Sequence, residues 1–95
     1  MTLEYIQNYE SSQRILRALL DGEEDVSSSS SEWKYLTTRI TNQISALRKS
    51  GIDIDTKTVK VPDSKKHYGR YVLVQDEQNI ERAILLLEKL EEKLA

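Results

Sequence analysis

The stretch that decides the fold is residues 36–51, Leu36-Thr-Thr-Arg-Ile-Thr-Asn-Gln-Ile-Ser-Ala-Leu-Arg-Lys-Ser-Gly51. Ile40, Ile44 and Leu47 recur at i, i+4 and i+7, which predicts one apolar stripe along a helix. The opposite side of that helix carries short hydrogen-bonding side chains and one cation, namely Thr38, Asn42, Ser45 and Lys49. Such a face suits contact with the edge of a base or with a phosphate. It equally suits plain contact with water.

The ends of this helix, and a shorter helix before it, can also be predicted. Thr37 or Thr38 can cap its start, and Gly51 can close its end in a left-handed conformation. Residues 32–36 form a short amphipathic segment that leads into it through a tight turn. Two short helices joined in this way make a helix-turn-helix arrangement.

After Gly51 the apolar period changes from about 3.6 to 2, which predicts strands. Residues 52–61 alternate, with a slip in parity that predicts a bulge or a bend near 56–58. Residues 62–69 form a turn and residues 70–74 a second strand, so the pair is a hairpin, or wing. Its basic side chains are Lys57, Lys60, Lys65, Lys66 and Arg70, with His67 among them. They can hold phosphates or reach into a minor groove, or they can simply be solvated.

The secondary structure of the segments before residue 36 is predicted less clearly. A first helix is predicted from about Glu10 to Asp21, with Gly22 stopping it, although Ser11 or Ser12 could cap a later start. Residues 1–9 could be a short helix or an irregular arm over one end of the core. Residues 23–31 are acidic and then serine-rich, which is typical of an exposed loop.

The last segment is predicted to be one long helix that begins at the N-cap Asp76 and runs to the end of the chain. Five apolar residues follow heptad spacings of 3, 4, 3 and 4: Ile80, Ala83, Leu87, Leu90 and Leu94. The helix could dock on its own domain or pair with the same helix of another copy. Because it is long for so small a core, we expect it to form a homodimer.

Composition narrows the class of protein. Ninety-five residues suffice for one domain, and the lack of cysteine excludes disulfides and thiolate metal sites. No apolar run approaches the roughly 20 residues that span a bilayer, and the polar N-terminus does not resemble a signal peptide.

The charge is distributed unevenly along the chain. Two cations and seven acids give −5 over residues 1–33, nine cations and three acids give +6 over 34–70, and three cations and six acids give −3 over 71–95. This polarity would turn the middle of the chain towards a polyanion.

Two motifs occur in the order seen in a known family. Gln43-Ile-Ser-Ala-Leu-Arg-Lys-Ser-Gly51-Ile-Asp-Ile54, followed by Gly69-Arg-Tyr-Val-Leu73, resembles the small winged helix-turn-helix domains of phage and mobile elements. Upstream, Gln13-Arg-Ile-Leu-Arg-Ala-Leu-Leu-Asp-Gly22 is similar to the first helix of that family. The resemblance implies sequence-specific or architectural DNA binding by a small regulator, with Thr38, Asn42, Ser45 and Lys49 on the side of the helix that is turned to the DNA.

The predicted fold is therefore α+β and mainly α: three helices and a two-stranded wing in residues 1–75 (core 10–75), and a long helix in 76–95. Helix 38–50 would read the major groove of double-stranded DNA with base-edge contacts from Thr38, Arg39, Asn42, Ser45 and Lys49, while the 57–70 wing holds phosphates or the minor groove. We expect no catalytic residue, metal or cofactor, and a cytoplasmic, nucleoid-associated location in a bacterial or phage-infected cell. The alternative is a protein-interaction module or inhibitor that uses residues 23–32 or the apolar side of helix 87–94.

Overall fold

The computed structural model describes residues 3–23, 26, 40–60, 62–63, 65 and 67–95. Three helices and two strands follow in the order α1 (Tyr9–Leu20), α2 (Ile40–Lys49), β1 (Ile54–Lys60), β2 (His67–Leu73) and α3 (Glu77–Leu94). The predicted architecture, mainly helical with a hairpin between the second long helix and the last one, is confirmed. The predicted helix 32–36 and the tight turn after it lie outside the described residues.

The first helix begins slightly earlier than predicted. Asn8 is its N-cap, and the Asn8 side chain accepts a hydrogen bond of 3.0 Å from the backbone N–H of Ser11. Ser11 and Ser12, the alternative caps, are instead buried in the first turn. At the other end Gly22 has a φ of +74°, and the N–H of Glu23 bonds to the Ala18 carbonyl at 3.0 Å, which closes the helix as Gly22 predicts.

A single hydrophobic core draws on all five elements. Its fully buried members are contributed by α1 (Ile15, Leu16), α2 (Ile40, Ile44, Leu47), the sheet and its approach (Ile52, Leu73) and α3 (Ala83, Leu86, Leu90), with Val26 beside them. From the arm before α1, Ile6 also belongs to the core. At roughly 25 cal/mol per Å² of apolar surface, burial of these side chains is the main stabilising term of the fold.

The last helix docks on its own chain, which corrects part of the predicted dimer seam. Ala83 and Leu90 are fully buried in the core, so these two side chains cannot face a second copy. A salt bridge between Arg17 of α1 and Glu91 of α3 adds a polar link between the two helices. Helix α1 packs along α3 and covers one side of it, which the heptad spacing alone could not show.

The hairpin differs from its prediction in two respects. The register runs without interruption from Ile54 opposite Leu73 to Lys60 opposite His67, so the predicted bulge is wrong. Strand β2 also begins three residues earlier than predicted, at His67. Of β1 only its first residue is buried, so the rest of the strand is under no pressure to alternate apolar and polar residues, and the parity slip carries no structural meaning.

Candidate nucleic-acid interface

The outward side of α2 is a polar strip. Ile40, Ile44 and Leu47 are each no more than 1% exposed, as their spacing predicted. The strip on the other side consists of the exposed residues Thr41, Asn42, Ser45 and Lys49. All four are polar and none is a carboxylate, so this surface offers hydrogen-bond donors and acceptors and one positive charge to a ligand.

The C-terminal end of α2 is fixed by a glycine. Gly51 has a φ of +100°, a conformation that other residues rarely adopt. Its N–H bonds to the Arg48 carbonyl at 3.1 Å, and the N–H of Ile52 bonds to the Leu47 carbonyl at 3.1 Å. This pair of bonds is the Schellman motif, and the buried Ile52 packs where the motif expects an apolar contact. The chain therefore leaves α2 towards β1 at a defined angle.

Arg48 ties α2 to the wing. Its Nε and Nη2 donate to the Ile54 carbonyl at 3.0 and 2.7 Å, and Nη2 also donates to the Thr56 hydroxyl at 3.0 Å. The guanidinium lies 6.0 Å from the ring centroid of Tyr71 on the neighbouring strand. Arg48 belongs to the basic middle of the sequence, where nine cations lie in residues 34–70. In the structure its charged end is used within the protein, to set the wing against α2.

The start of α3 supplies the second anchor for the wing. Asn79 is fully buried, and its side chain makes three hydrogen bonds to the backbone at the base of the hairpin, two to the connection between α2 and β1 and one to the residue after β2. The Asp53 N–H donates to Oδ1 at 2.7 Å, while Nδ2 donates to the carbonyls of Asp53 and Val74 at 2.9 and 2.8 Å. Nearby, Nε of Arg82 donates to the Gly51 carbonyl at 2.8 Å. The angle between α2 and the wing is thus held from two sides.

The register of the hairpin decides where its cations lie. Lys57 is directly opposite Arg70, on the face that alternates away from the buried Ile54 and Tyr71. Lys60 is opposite His67 on the other face. Like charges directly opposite each other destabilise a hairpin on their own, and a bound anion would relieve the repulsion between Lys57 and Arg70.

The wing as a whole is positive and projects from the core. Lys57, Lys60 and Lys65 are exposed, as are the two acids Asp55 and Asp63. Lys60 lies six positions beyond Ile54, so the end of the hairpin stands about 20 Å from its base at ~3.4 Å per residue. This reach carries the cations of the hairpin end away from its base, where α3 begins, the helix in which acids outnumber cations.

The arm that precedes α1 borders the polar strip on its other side. Tyr5 and Gln7 are exposed and line a cleft of about 340 Å³ together with Asn42, Ser45 and Lys49. Sequence reasoning left this arm undecided between a helix and an irregular segment. The predicted polar face also omitted Thr41. Its position next to Asn42 could have indicated that it belongs to this face.

The structure brings together part of the predicted site. Asn42, Ser45 and Lys49 share the exposed strip of α2, and Lys57, Lys60, Lys65 and Arg70 lie on the wing that Arg48 attaches to that helix. Thr38, Arg39 and Lys66 lie outside the described residues. His67 forms the first position of β2, and only its backbone is described.

This geometry agrees with one comparison to known proteins. The family model of the winged helix-turn-helix domain matches residues 10–76, which is more than half of the chain. The chain therefore belongs to the winged helix-turn-helix family, a DNA-binding fold, and the family resemblance of its two motifs is confirmed. No curated protein and no solved structure matches the chain.

Two other kinds of site find no support in the described part of the chain. Within these residues no group of three or more histidine, aspartate or glutamate side chains could hold a metal ion. Over the same residues, none of the helices has the length and apolar character needed to cross a bilayer. The winged helix-turn-helix fold is usually non-enzymatic.

Proposed function

We propose that this protein binds double-stranded DNA, with α2 in the major groove and the wing along the backbone of the same duplex. Asn42, Ser45 and Lys49 contact base edges, together with Thr38 and Arg39 just before α2. The cations of the wing, Lys57, Lys60, Lys65, Lys66 and Arg70, hold phosphates on the flank, with His67 beside them. In biological terms the proposal is a small transcriptional regulator or architectural factor of the kind found in phage and mobile elements.

The observation that carries this proposal is the rigid coupling of the polar strip to the basic wing. A helix that reads bases and a hairpin that holds phosphates must keep a fixed spacing if both are to touch one duplex. Arg48 provides that spacing at one edge and Asn79 at the other. A polar strip and a basic hairpin that only face water would not need such a connection.

The dimer is proposed through a revised set of residues, which keeps Ile80, Leu87 and Leu94 of the predicted seam and replaces the buried Ala83 and Leu90 with Ile84. Ile80 and Leu87 are partly buried, and Ile84 and Leu94 are each 43% exposed. At helical spacing these four lie along one flank of α3, beside the buried Ala83 and Leu90. A second copy packed on this flank would cover them and bring two reading helices to two half-sites. Analytical ultracentrifugation of the protein with and without Ile84→Glu tests this contact, and a monomeric wild-type protein at micromolar concentration would exclude it.

Fluorescence anisotropy on a labelled duplex, measured across a salt series, tests DNA binding. If the five wing cations each neutralise one phosphate, log K falls with log salt at a slope of about −4.5, which is a loss of about 500-fold between 50 and 200 mM. The double variant Lys57→Glu with Lys65→Glu should weaken binding strongly and reduce that slope. Lys93→Glu is the control, with half the charge change of the double variant, because Lys93 is an exposed cation near the end of α3, away from the wing.

Two results would overturn the proposal. One is no binding to any duplex at 50 mM salt. The other is a loss of log K in the double wing variant that is only twice the loss in the Lys93 control, since an equal loss per substituted lysine would show that only the total charge matters. Recovery of a protein partner that resists nuclease treatment, without any affinity for DNA, would favour the alternative of a protein-interaction module.

A further inference from the structure

We propose that the arm before α1, residues 4–8, is the second wall of the DNA-contacting surface and that Tyr5 and Gln7 contact bases beside α2. This inference rests on the proposed DNA binding and adds residues that neither the sequence motifs nor the family match assigns, since that match begins at residue 10. The wing is one border of the polar strip of α2. The arm forms the opposite border.

The two borders can be located on α2 itself. Arg48 points to the wing, where it bonds to Ile54. Ala46 precedes Arg48 by two positions and so lies about 160° away around the helix, at roughly 100° per residue. Ala46 is only 9% exposed, and it lines the cleft that the arm forms with α2. The strip with Asn42 and Ser45 therefore lies between the wing and the arm.

The side chains that line the cleft are of the types that contact DNA bases. Its arm side includes Glu4, Tyr5 and Gln7, and its helix side includes Asn42, Ser45 and Lys49. The three helix residues are the same ones that the polar face of α2 offers to base edges. A ligand that contacts them must pass within reach of the arm. The volume of about 340 Å³ is at the lower end of roughly 300–1,000 Å³ for small-ligand pockets, so it can admit one edge of a nucleotide.

Local structure holds Tyr5 outward. Ile6, the next residue, is 5% exposed and belongs to the core, and its N–H bonds to the Leu3 carbonyl at 3.0 Å in a turn. Asn8 then caps α1. Because the arm is fixed on both sides of Tyr5, the 44% exposure of the tyrosine follows from the turn. A large aromatic side chain kept at the surface beside a polar cleft is suited to contact a ligand.

The chemistry of the arm favours bases over phosphates. A glutamine amide can pair with both the N6 and N7 positions of adenine, and a tyrosine ring can contact the methyl group of thymine. The arm, residues 4–8, contains no cation, and Glu4 places a carboxylate at the rim of the cleft. Because a carboxylate repels phosphate, we assign the arm to base edges and leave the phosphates to the wing.

A hydroxyl group at the floor of the cleft is independent evidence that a hydrogen-bonding position there is open to a ligand. Ser12 lines the cleft, is 1% exposed, and its hydroxyl has no hydrogen-bond partner among the described residues. Buried polar groups without a partner are uncommon in folded proteins. A group that enters the cleft beside Tyr5 would approach this hydroxyl.

The test compares Tyr5→Ala and Gln7→Ala with Gln78→Ala, an exposed residue of α3 that serves as the control. The duplex is first selected from a random pool with the wild-type protein. Each arm variant should then bind that duplex about 5- to 30-fold more weakly, within the discrimination of a single base contact. The salt slope should stay unchanged, because a base contact releases no counterion. A repeat selection with Tyr5→Ala should lose preference at one or two positions.

The outcomes separate this inference from the proposed function. If the wild-type protein enriches no sequence and binds no duplex, both proposals fail. If it binds while the two arm variants bind as tightly or more tightly, only the role of the arm is refuted, and tighter binding would show that the arm blocks the helix. A salt slope reduced by about one would assign the lost contact to a phosphate and contradict base contact. A loss accompanied by a lower urea midpoint would make Tyr5 a residue of the fold, which also contradicts the inference.

Discussion

Arg48 and Lys49 are adjacent cations near the end of α2, and the structure predicts opposite consequences of replacing them. Arg48→Met removes three hydrogen bonds to β1 but keeps most of the aliphatic stem. Lys49→Met removes an exposed charge from the polar strip that borders the cleft. The first substitution should therefore lower stability, and the second should lower only the affinity for DNA.

The expected loss of stability can be worked out from the contacts of Arg48. Hydrogen bonds to a charged donor contribute about 1.5–3 kcal/mol when they are well buried. Those of Arg48 are part-buried or exposed, so solvent screening reduces the total for the whole set to about 1–2 kcal/mol. For a domain of this size 1 kcal/mol corresponds to about 4–8 °C in melting temperature. Lys49→Met should change the melting temperature by much less, because surface substitutions stay within about 0.5 kcal/mol.

Thermal melting and salt-dependent anisotropy of the two variants check both halves of this prediction. Lys49→Met should reduce the salt slope by about one if Lys49 reaches a phosphate, or leave the slope alone and relax base preference if it reaches a base. Arg48→Met should leave the slope unchanged. The reasoning is refuted if Arg48→Met melts like the wild-type protein while its salt slope falls, because Arg48 would then be a DNA contact.

Two further substitutions test the junction and the cleft. Asn79→Ala should lower the free energy of unfolding by about 2–4 kcal/mol in urea, because the three part-buried hydrogen bonds of a fully buried side chain are lost; a loss below 1 kcal/mol would contradict the role of Asn79 as an anchor. Ser12→Ala should raise the free energy of unfolding by about 0.5–2 kcal/mol, since it removes an unpaired buried hydroxyl from a helix; a lower urea midpoint would show that the hydroxyl is hydrogen-bonded in solution.

The order of elements and the core of α2 could be predicted because short-range rules determine them. Ile40, Ile44 and Leu47 are buried because a helix of period 3.6 has one side towards the core, and Gly51 ends the helix because the left-handed conformation favours glycine. Asp76 likewise caps α3, accepting a bond from the N–H of Asn79 at 3.3 Å. These features depend on a few neighbours in sequence.

What could not be predicted depends on contacts between distant residues. From the sequence, the guanidinium of Arg48 could contact DNA or stabilise the fold. Only its hydrogen bond to the Ile54 carbonyl in the folded chain decides between the two. The heptad spacing of α3 is satisfied equally by a second copy and by α1 of the same chain. The burial of Ala83 and Leu90 and the packing of α1 on α3 show that the core of the same chain takes that side. Asn79 sits in an otherwise ordinary helix start, and no local pattern marks it as the residue that joins α3 to the sheet.

The acidic net charge of the chain, −2, does not weaken the case for DNA contact, because the charges are separated in space as well as in sequence. The first turn of α3 lies at the base of the sheet, where Asn79 bonds to Asp53 and Val74. The end of the wing is about 20 Å from that base, which exceeds two Debye lengths of about 8 Å at physiological salt. Repulsion between the carboxylates near the start of α3 and a phosphate at Lys60 is therefore mostly screened, while the attraction of the wing acts at contact. At lower salt the same carboxylates repel a duplex that approaches α3. The duplex is then directed to the side of the protein that carries α2 and the wing.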